Sequence, residues 1–185
     1  LVPKEINASI KIIDESVDKV DFNTDFDLVA ISCMTGTSKR AYEIADSFKN
    51  RNIKVVIGGV HVTLLPEEAK KHADSIVIGF AEETWPQLLR DFAAGNLKPV
   101  YSSVKGNIND LPFPRRDLQR KYGYGVPNTI YATRGCRSNC DFCSVPAANF
   151  GWQTRPVHEV IDELRAIKAK TIAFNDVNLT DDVEY

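Results

Sequence analysis

Apolar runs of strand length alternate with helical patterns over the first half of the chain. Leu28 to Cys33 is almost continuously apolar, which is typical of a parallel strand buried on both faces. Apolar residues then recur at helical spacing from about 38 to 51, and another strand is predicted at 53–57. Further strands are predicted at 10–13 and 75–78, and helices at Pro66 and at 84–94. Strands joined by helical crossovers predict an α/β fold, a doubly wound, Rossmann-like parallel sheet.

The pattern changes after residue 98. Prolines and glycines interrupt residues 99–128, where apolar periodicity is weak, and this composition predicts a linker between domains. A strand at 129–133, a helix at 156–169 and a strand at 171–174 then predict a βαβ unit, which is too small to be a closed fold. We therefore expect a first domain at 1–98 and the start of a second domain at 129–185.

Composition narrows the function classes. The chain has 185 residues and a formal net charge of -2, so it carries no electrostatic footprint for nucleic acid. No apolar run approaches the ~20 residues that span a bilayer. Four cysteines, three of them crowded together, and no secretory signal indicate a reducing, cytoplasmic location rather than a disulfide framework. The chain does not begin with methionine, and we expect it to be part of a longer protein.

Three cysteines lie within eight residues directly after an apolar run: Cys136, Cys140 and Cys143. Thiolates at this C-x3-C-x2-C spacing can converge on one face of a loop and hold three irons of a four-iron cluster, leaving the fourth iron open to an exogenous ligand. A zinc site needs a fourth ligand, and Cys33, His61 and His158 are all distant in sequence. A ferredoxin-type cluster uses four cysteines in a run that ends in Cys-Pro, which this chain lacks. Cys33 itself lies in a predicted strand and is expected to be inert and buried.

With Phe142 before the last cysteine, this C-x3-C-x-aromatic-C loop resembles the cluster loop of radical S-adenosylmethionine (SAM) enzymes. The resemblance implies a 4Fe-4S cluster held by the three cysteines, with SAM chelating the open iron. One electron, from a reductant such as flavodoxin or ferredoxin, would cleave SAM to a 5′-deoxyadenosyl radical. It also implies that Phe142 packs near the SAM adenine and that Asp176 accepts hydrogen bonds from the SAM ammonium group. By position alone, Asp176 is equally well explained as a solvated acid at a strand end.

Small, polar and glycine residues follow three of the predicted strands. They are Ser32 and Thr35, then Gly58, Gly59 and His61, and then Glu82. In open parallel sheets, ligands bind beyond the carboxyl ends of the strands, and paired glycines let a flat ligand approach the backbone closely. Each residue also has an ordinary interpretation: a tight turn for the glycines, a packed or solvated His61, and for Glu82 an acid that complements the helix dipole. The spacing is not G-x-G-x-x-G, which disfavours a nicotinamide cofactor.

The order of these segments resembles the cobalamin-binding domain of cobalamin-dependent radical SAM enzymes. Gly-Gly-x-His is followed by Leu-Pro-Glu-Glu and by Asp-x-x-Val-x-Gly-x-x-Glu-x-Thr-Trp at 74–85, and Asp-Leu-Pro-Phe-Pro-Arg at 110–115 is similar to that family's linker. The resemblance implies a corrin ring over the strand ends, with the six residues above as its contacts; coordination of cobalt by His61 is the disfavoured alternative. Two departures are Val-Thr at 62–63, where the family usually has Pro-Thr, and the lack of an Asp-x-His-x-x-Gly loop, which would follow a strand expected before residue 1.

These resemblances imply a methyltransferase that moves a methyl group to an unactivated carbon of a small-molecule substrate, although relatives also perform ring contraction and cyclisation. A second interpretation is a cobalamin-binding carrier or regulatory module whose metal site is structural or vestigial. Methylthiotransferases are disfavoured, because their first domain supplies cysteines for a second cluster and this one has only Cys33. We expect the 185-residue chain alone to be inactive, since further barrel strands are needed to enclose SAM.

Overall fold

The computed structural model describes residues 1–103, 106–120, 122–148, 151–180, 182, 184 and 185, and every predicted site residue is among them. The chain divides into two units. The first unit contains Leu1–Ala8 and Asp21–Gly106, and the second unit contains Ser9–Val20 and Asn107–Tyr185. Among the described helices, none is both long enough and apolar enough to cross a membrane.

A parallel four-stranded sheet, with its strands in sequential order, forms the first unit. The strands are β1 (Leu28–Ser32), β2 (Lys54–Gly58), β3 (Ser75–Gly79) and β4 (Val100–Ser103). The helices are α1 (Ser38–Lys49) after β1, α2 (Val60–Leu64) and α3 (Pro66–Ala69) after β2, and α4 (Ala81–Ala93) after β3. The predicted α/β fold with a parallel sheet is confirmed.

Both faces of β2 are buried. Val56 packs in one core cluster with Val77 of β3 and Leu88 of α4. Val55 and Ile57 point to the opposite face, because side chains alternate along a strand, and both are 0% exposed. Strand β2 is therefore covered on both sides, as expected for a parallel strand inside an α/β domain. Strand β1 differs from its prediction, because it lies at the edge of the sheet and none of its five residues is fully buried.

Two segments differ from the sequence prediction. The predicted strand at 10–13 is wrong: these residues pair with no described strand, and an extended segment without a partner leaves its backbone groups unbonded. Conversely, β4 lies within the stretch predicted to be a linker. It has only four residues, two of them serines, so it lacks an apolar run. Tyr101 fastens it to α4, because its hydroxyl donates to Asp91 Oδ2 at 2.8 Å.

The second unit contains the predicted parallel βαβ unit. Strand β5 (Thr129–Ile130) pairs with β8 (Ala173–Phe174), and α6 (Val157–Ala166) lies between them in the chain. The single strand predicted at 129–133 is divided into two. After β5 the chain changes its pairing partner, and β6 (Thr133–Gly135) pairs antiparallel with β7 (Trp152–Thr154). The short helix α5 (Ser144–Ala147) lies between β6 and β7. Neither β7 nor α5 is predicted by the sequence pattern.

Candidate functional site

Four of the predicted cobalamin contacts lie where β1 and β2 end. Ser32 is paired in register with Gly58, and the N–H of Cys33 donates to the Gly58 carbonyl at 3.1 Å. A Cβ atom at Gly59 would lie 2.5 Å from the Cys33 carbonyl oxygen, and the φ angle of Gly59 is +102°. Space and backbone conformation both exclude a side chain there, so Gly59 is required by the packing of the two loops. Thr35 lies exposed in the turn after β1.

His61 is buried, at 2% exposure, and both of its ring nitrogens have partners. Nδ1 lies 3.2 Å from Thr35 Oγ1, and Nε2 lies 3.0 Å from the Tyr42 hydroxyl. The Glu68 carboxylate lies 3.6 Å from Nε2. The imidazole therefore ties the turn after β1 to α1 and α3. Coordination of cobalt by His61 would require one of these contacts to break.

Tyr42 extends this polar cluster along α1. Its ring stacks on His72, with ring centroids 4.2 Å apart, and His72 Nδ1 lies 3.0 Å from Asp46 Oδ1. Burial, with the nearby negative charge of Glu68, raises the pKa of Tyr42 to about 12. The hydroxyl is therefore a neutral hydrogen-bonding group at ordinary pH. The sequence pattern missed Tyr42, and its only signal is a tyrosine beside the apolar stripe of a helix.

Thr63 connects the ends of β2 and β3. Its hydroxyl donates to the Gly59 carbonyl at 3.1 Å and accepts the N–H of Gly79 at 3.0 Å. Glu82 follows in the first turn of α4, half-buried, with Glu83 beside it. Acids in this position complement the helix dipole, in line with the ordinary interpretation of Glu82. A contact between Glu82 and a cofactor stays a prediction.

The three clustered cysteines lie in the connection between β6 and β7. Cys136 follows β6 directly, Cys143 immediately precedes α5, and all three are free thiols, with Cys140 the most exposed. The N–H of Cys143 donates to the Cys140 carbonyl at 3.0 Å, and the N–H of Ser138 points to Cys136 Sγ at 3.4 Å. Over the described residues, no group of three His, Cys, Asp or Glu side chains is arranged for a metal ion. Three free thiols in one short loop, one of them accepting a backbone N–H, nevertheless fit the donor chemistry of an iron–sulfur cluster.

The base of this cysteine loop is closed tightly. Gly135, the residue before Cys136, has a φ angle of +84°, and a Cβ atom there would lie 1.6 Å from the Gly151 carbonyl oxygen. The guanidinium of Arg137 lies 3.9 Å from the centroid of the Trp152 ring. Glycine is therefore needed at 135 for the two ends of the loop to meet.

The two predicted SAM contacts lie in different surroundings. Phe142 is 93% exposed. Asp176 accepts hydrogen bonds from the Ala132 N–H at 3.1 Å and from the Thr133 hydroxyl at 2.7 Å, and also from the Thr133 N–H. The carboxylate is thus engaged by the protein rather than only by solvent. A contact of either residue with SAM stays a prediction.

A buried charge cluster in the second unit was not predicted from the sequence. Glu163 is 2% exposed, and its carboxylate lies 2.5 Å from a guanidinium nitrogen of Arg116 and 2.6 Å from one of Arg155. Arg116 also donates to the Thr129 carbonyl, and Arg155 donates to the Tyr131 carbonyl. These three side chains join the segment at 116–118 and helix α6 to the backbone around β5.

Known proteins match both parts of the chain. Residues 5–89 match the family model of the B12 binding domain. The bacteriochlorophyllide d C-8(2)-methyltransferase of Chlorobaculum tepidum is 42% identical over 146 residues, which cover 74% of this chain and 32% of that protein. The bacteriochlorophyllide d C-12(1)-methyltransferase of the same organism is 36% identical over 149 residues, covering 76% and 32%.

A putative methylthiotransferase of Methanocaldococcus jannaschii is 28% identical over 152 residues, covering 74% of this chain and 33% of that protein. The alignments thus span about a third of the length of each of these curated relatives. The B12 binding domain and the methyltransferase relatives confirm the resemblance that the sequence motifs indicated. The chain belongs to the cobalamin-binding radical SAM family.

Proposed function

We propose that a protein containing this chain is a cobalamin-dependent radical SAM methyltransferase that acts on an unactivated carbon of a small-molecule substrate. The observation that carries the proposal is the joint presence of a B12 binding domain at 5–89 and a loop of three free cysteines closed between β6 and β7. Bound at these sites, the cluster would supply the electron that cleaves SAM, and cobalamin would carry the methyl group.

The cysteine loop provides the residues for the cluster and SAM. Cys136, Cys140 and Cys143 would ligate iron as thiolates, and the exposed ring of Phe142 is free to cover the adenine of SAM. We expect the electron to come from a flavodoxin or a ferredoxin. The closed base of the loop limits how far the three sulfurs can separate.

Gly58 is the most informative residue at the proposed cobalamin site. A Cβ atom at Gly58 would lie 3.5 Å from the Val77 Cβ, which is ordinary van der Waals contact, so the fold tolerates alanine there. Gly59, in contrast, is required by packing. A missing side chain at Gly58 is therefore better explained by the approach of a flat ligand. Ser32 and Thr35 beside it are exposed residues, and their hydroxyls would supply hydrogen bonds to the corrin side chains, with that of Thr35 also in contact with His61.

The cysteine content of the first unit favours methyl transfer over methylthio transfer, because methylthiotransferases use cysteines of this domain to hold a second cluster. The only cysteine of the first unit is Cys33. That side chain is 4% exposed, and burial raises the pKa of its thiol, with Glu68 adding to the effect. A buried thiol that resists deprotonation is a poor ligand for a second cluster.

The proposal is tested on the full-length protein that contains this chain, purified without oxygen and supplied with iron, sulfide and hydroxocobalamin. We expect corrin bands together with a broad iron–sulfur shoulder in the visible spectrum, and 5′-deoxyadenosine after addition of SAM and a reductant. Cys140→Ala should abolish 5′-deoxyadenosine and leave the corrin bands. Gly58→Ala should weaken cobalamin binding about tenfold, since the added methyl group meets the ligand. The control Gly125→Ala has no heavy atom within 4 Å of the new Cβ and should bind normally.

Corrin bands without 5′-deoxyadenosine would contradict the proposed enzyme and favour a cobalamin-carrying module. An iron–sulfur shoulder without corrin bands would contradict the role of the first unit.

A further inference from the structure

Asp176 lies just after β8, but its carboxylate is bonded to the strand segment that leads to the cysteines. Oδ1 accepts the N–H of Ala132 at 3.1 Å and the hydroxyl of Thr133 at 2.7 Å, and it also accepts the N–H of Thr133. Oδ2 lies 3.3 Å from the same Ala132 nitrogen. Three donors on two consecutive residues therefore converge on one side chain.

These donors lie where the chain changes its pairing partner. The N–H of Asn175 donates to the Ile130 carbonyl at 2.9 Å, and among the described residues no backbone–backbone bond between the β5 and β8 segments follows it. From Thr133 onward the chain pairs with β7 instead, in the antiparallel direction. The carboxylate of Asp176 supplies the hydrogen-bond acceptor at the junction between the β5–β8 pair and the β6–β7 pair.

Burial makes this acceptor necessary. Ala132 is 2% exposed and Thr133 is 0% exposed, so water cannot replace the carboxylate. The N–H groups of both residues would be left without this acceptor if Asp176 were removed. The direction in which the chain leaves β5 therefore depends on this side chain.

We propose that Asp176 is a positioning residue for the cysteine loop: it fixes the direction of β6 and so the place of Cys136, the first thiolate. Thr133 is the first residue of β6, and only two residues, 134 and 135, separate it from Cys136. A displacement of β6 moves this sulfur relative to Cys140 and Cys143, which follow in the loop. The role in cluster assembly rests on the proposed function, whereas the role in holding β6 does not.

The first experiment measures amide hydrogen exchange by NMR in the 185-residue chain. We expect Asp176→Ala to speed exchange at Ala132 and Thr133 about tenfold, because both donors lose an acceptor in a buried place. Asp176→Asn keeps one carbonyl oxygen and should give an intermediate rate. The matched control is Asp162→Ala, an exposed aspartate on α6 that pairs with Arg165, and it should leave both rates unchanged. Unchanged exchange in Asp176→Ala would overturn the proposal.

The second experiment titrates the same variants with Cd²⁺ and follows the thiolate charge-transfer absorbance. We expect about tenfold weaker binding in Asp176→Ala, partial recovery in Asp176→Asn and normal binding in Asp162→Ala, since groups that orient metal ligands have effects of about this size. Fluorescence of Trp152, the tryptophan of the second unit, reports whether each variant is folded.

A direct SAM contact predicts a different result. In that case Asp176→Ala would lower the affinity of the reconstituted full-length protein for SAM and leave Cd²⁺ binding and amide exchange unchanged, which would overturn the positioning role. If the unsubstituted chain binds no Cd²⁺ through its thiols, the proposed function loses its support, and amide exchange still decides whether Asp176 holds β6.

Discussion

A single carboxylate, that of Asp74, joins the backbone of two neighbouring strand segments. Its Oδ1 accepts a hydrogen bond from Lys54 Nζ at 2.8 Å, and its Oδ2 accepts one from the Val55 N–H at 2.9 Å. Although burial opposes the effect, these bonds from Lys54 and Val55 hold the pKa of Asp74 below its ordinary value. The carboxylate is therefore more acidic in the folded chain than in the unfolded one.

This shift predicts a loss of stability in acid. The stabilisation is fully present above the unfolded pKa of about 3.9 and is lost as the pH falls through the lower pKa of the folded state. We expect Asp74→Asn to lower the free energy of unfolding of the first unit by about 1 kcal/mol near neutral pH. In acid the variant and the parent chain should converge. Urea denaturation followed by Trp85 fluorescence measures this, with the exposed Asp27→Asn as the control. An equal loss at both pH values would contradict the linkage.

His61 gives a second prediction at this scale. We expect His61→Ala to lower the free energy of unfolding of the first unit by about 2–3 kcal/mol, because it leaves a cavity and removes the ring contacts to Thr35 and Tyr42. The same denaturation measurement checks it. His158, exposed on α6, is the control: His158→Ala should change stability by less than about 0.5 kcal/mol. Similar small effects of both substitutions would show that the His61 contacts contribute little.

Between elements, the buried carboxylate of Glu163 connects separate segments of the second unit. Its carboxylate joins α6 to Arg116 and Arg155. We expect Glu163→Gln to lower the free energy of unfolding of that unit by about 3–5 kcal/mol, because Arg116 loses its buried counter-charge and Arg155 retains only the Glu159 carboxylate, 3.9 Å from its Nε. Trp152 fluorescence during urea denaturation measures the change. Asp162→Asn alters the neighbouring exposed carboxylate, and a comparable loss in that control would contradict the assignment.

The strands differ in how well the sequence could predict them. Strands β1, β2 and β3 are short apolar runs, a pattern that can be recognised without the structure, although of these three only β2 and β3 contain fully buried residues. Strands β4 and β7 leave none, because Val100–Ser103 is half serine and Trp152–Thr154 has only three residues. The segment at 10–13 has an apolar pattern but pairs with no strand in the described part of the chain, and pairing depends on distant residues that no local pattern reveals.

The same distinction holds for the site. Spacing alone located the cysteine loop, since its three cysteines are neighbours in sequence. Tyr42 and Glu163 could not be found this way, because their partners His61 and Arg116 are 19 and 47 residues away. The contacts of Asp176 were missed for the same reason, with Thr133 lying 43 residues before it.

For the whole molecule, the proposed cofactors belong to different units. We expect hydroxocobalamin to slow amide exchange in β2 of the first unit and not in β5 of the second, and Cd²⁺ bound to the cysteines to have the opposite effect. A ligand at a hundred times its dissociation constant stabilises its own folding unit by about 2.7 kcal/mol, which is large enough to detect. Hydrogen exchange at Val56 and Ile130 is the readout. Protection of both residues by one ligand would show that the two units unfold together.

The path of the chain has a further consequence, which concerns recombination. Residues 9–20 belong to the second unit although they precede the sheet of the first, and they are held there by bonds from Arg120 to Asp18 at 2.7 Å and from Tyr124 to Asp14 at 2.9 Å. The two modules are therefore interleaved in the gene. If the stretch from 107 onward were replaced with that of a relative, most of the second unit would come from the relative. Residues 9–20, which belong to the same unit, would still come from the original chain. A functional chimera needs both segments from the same parent.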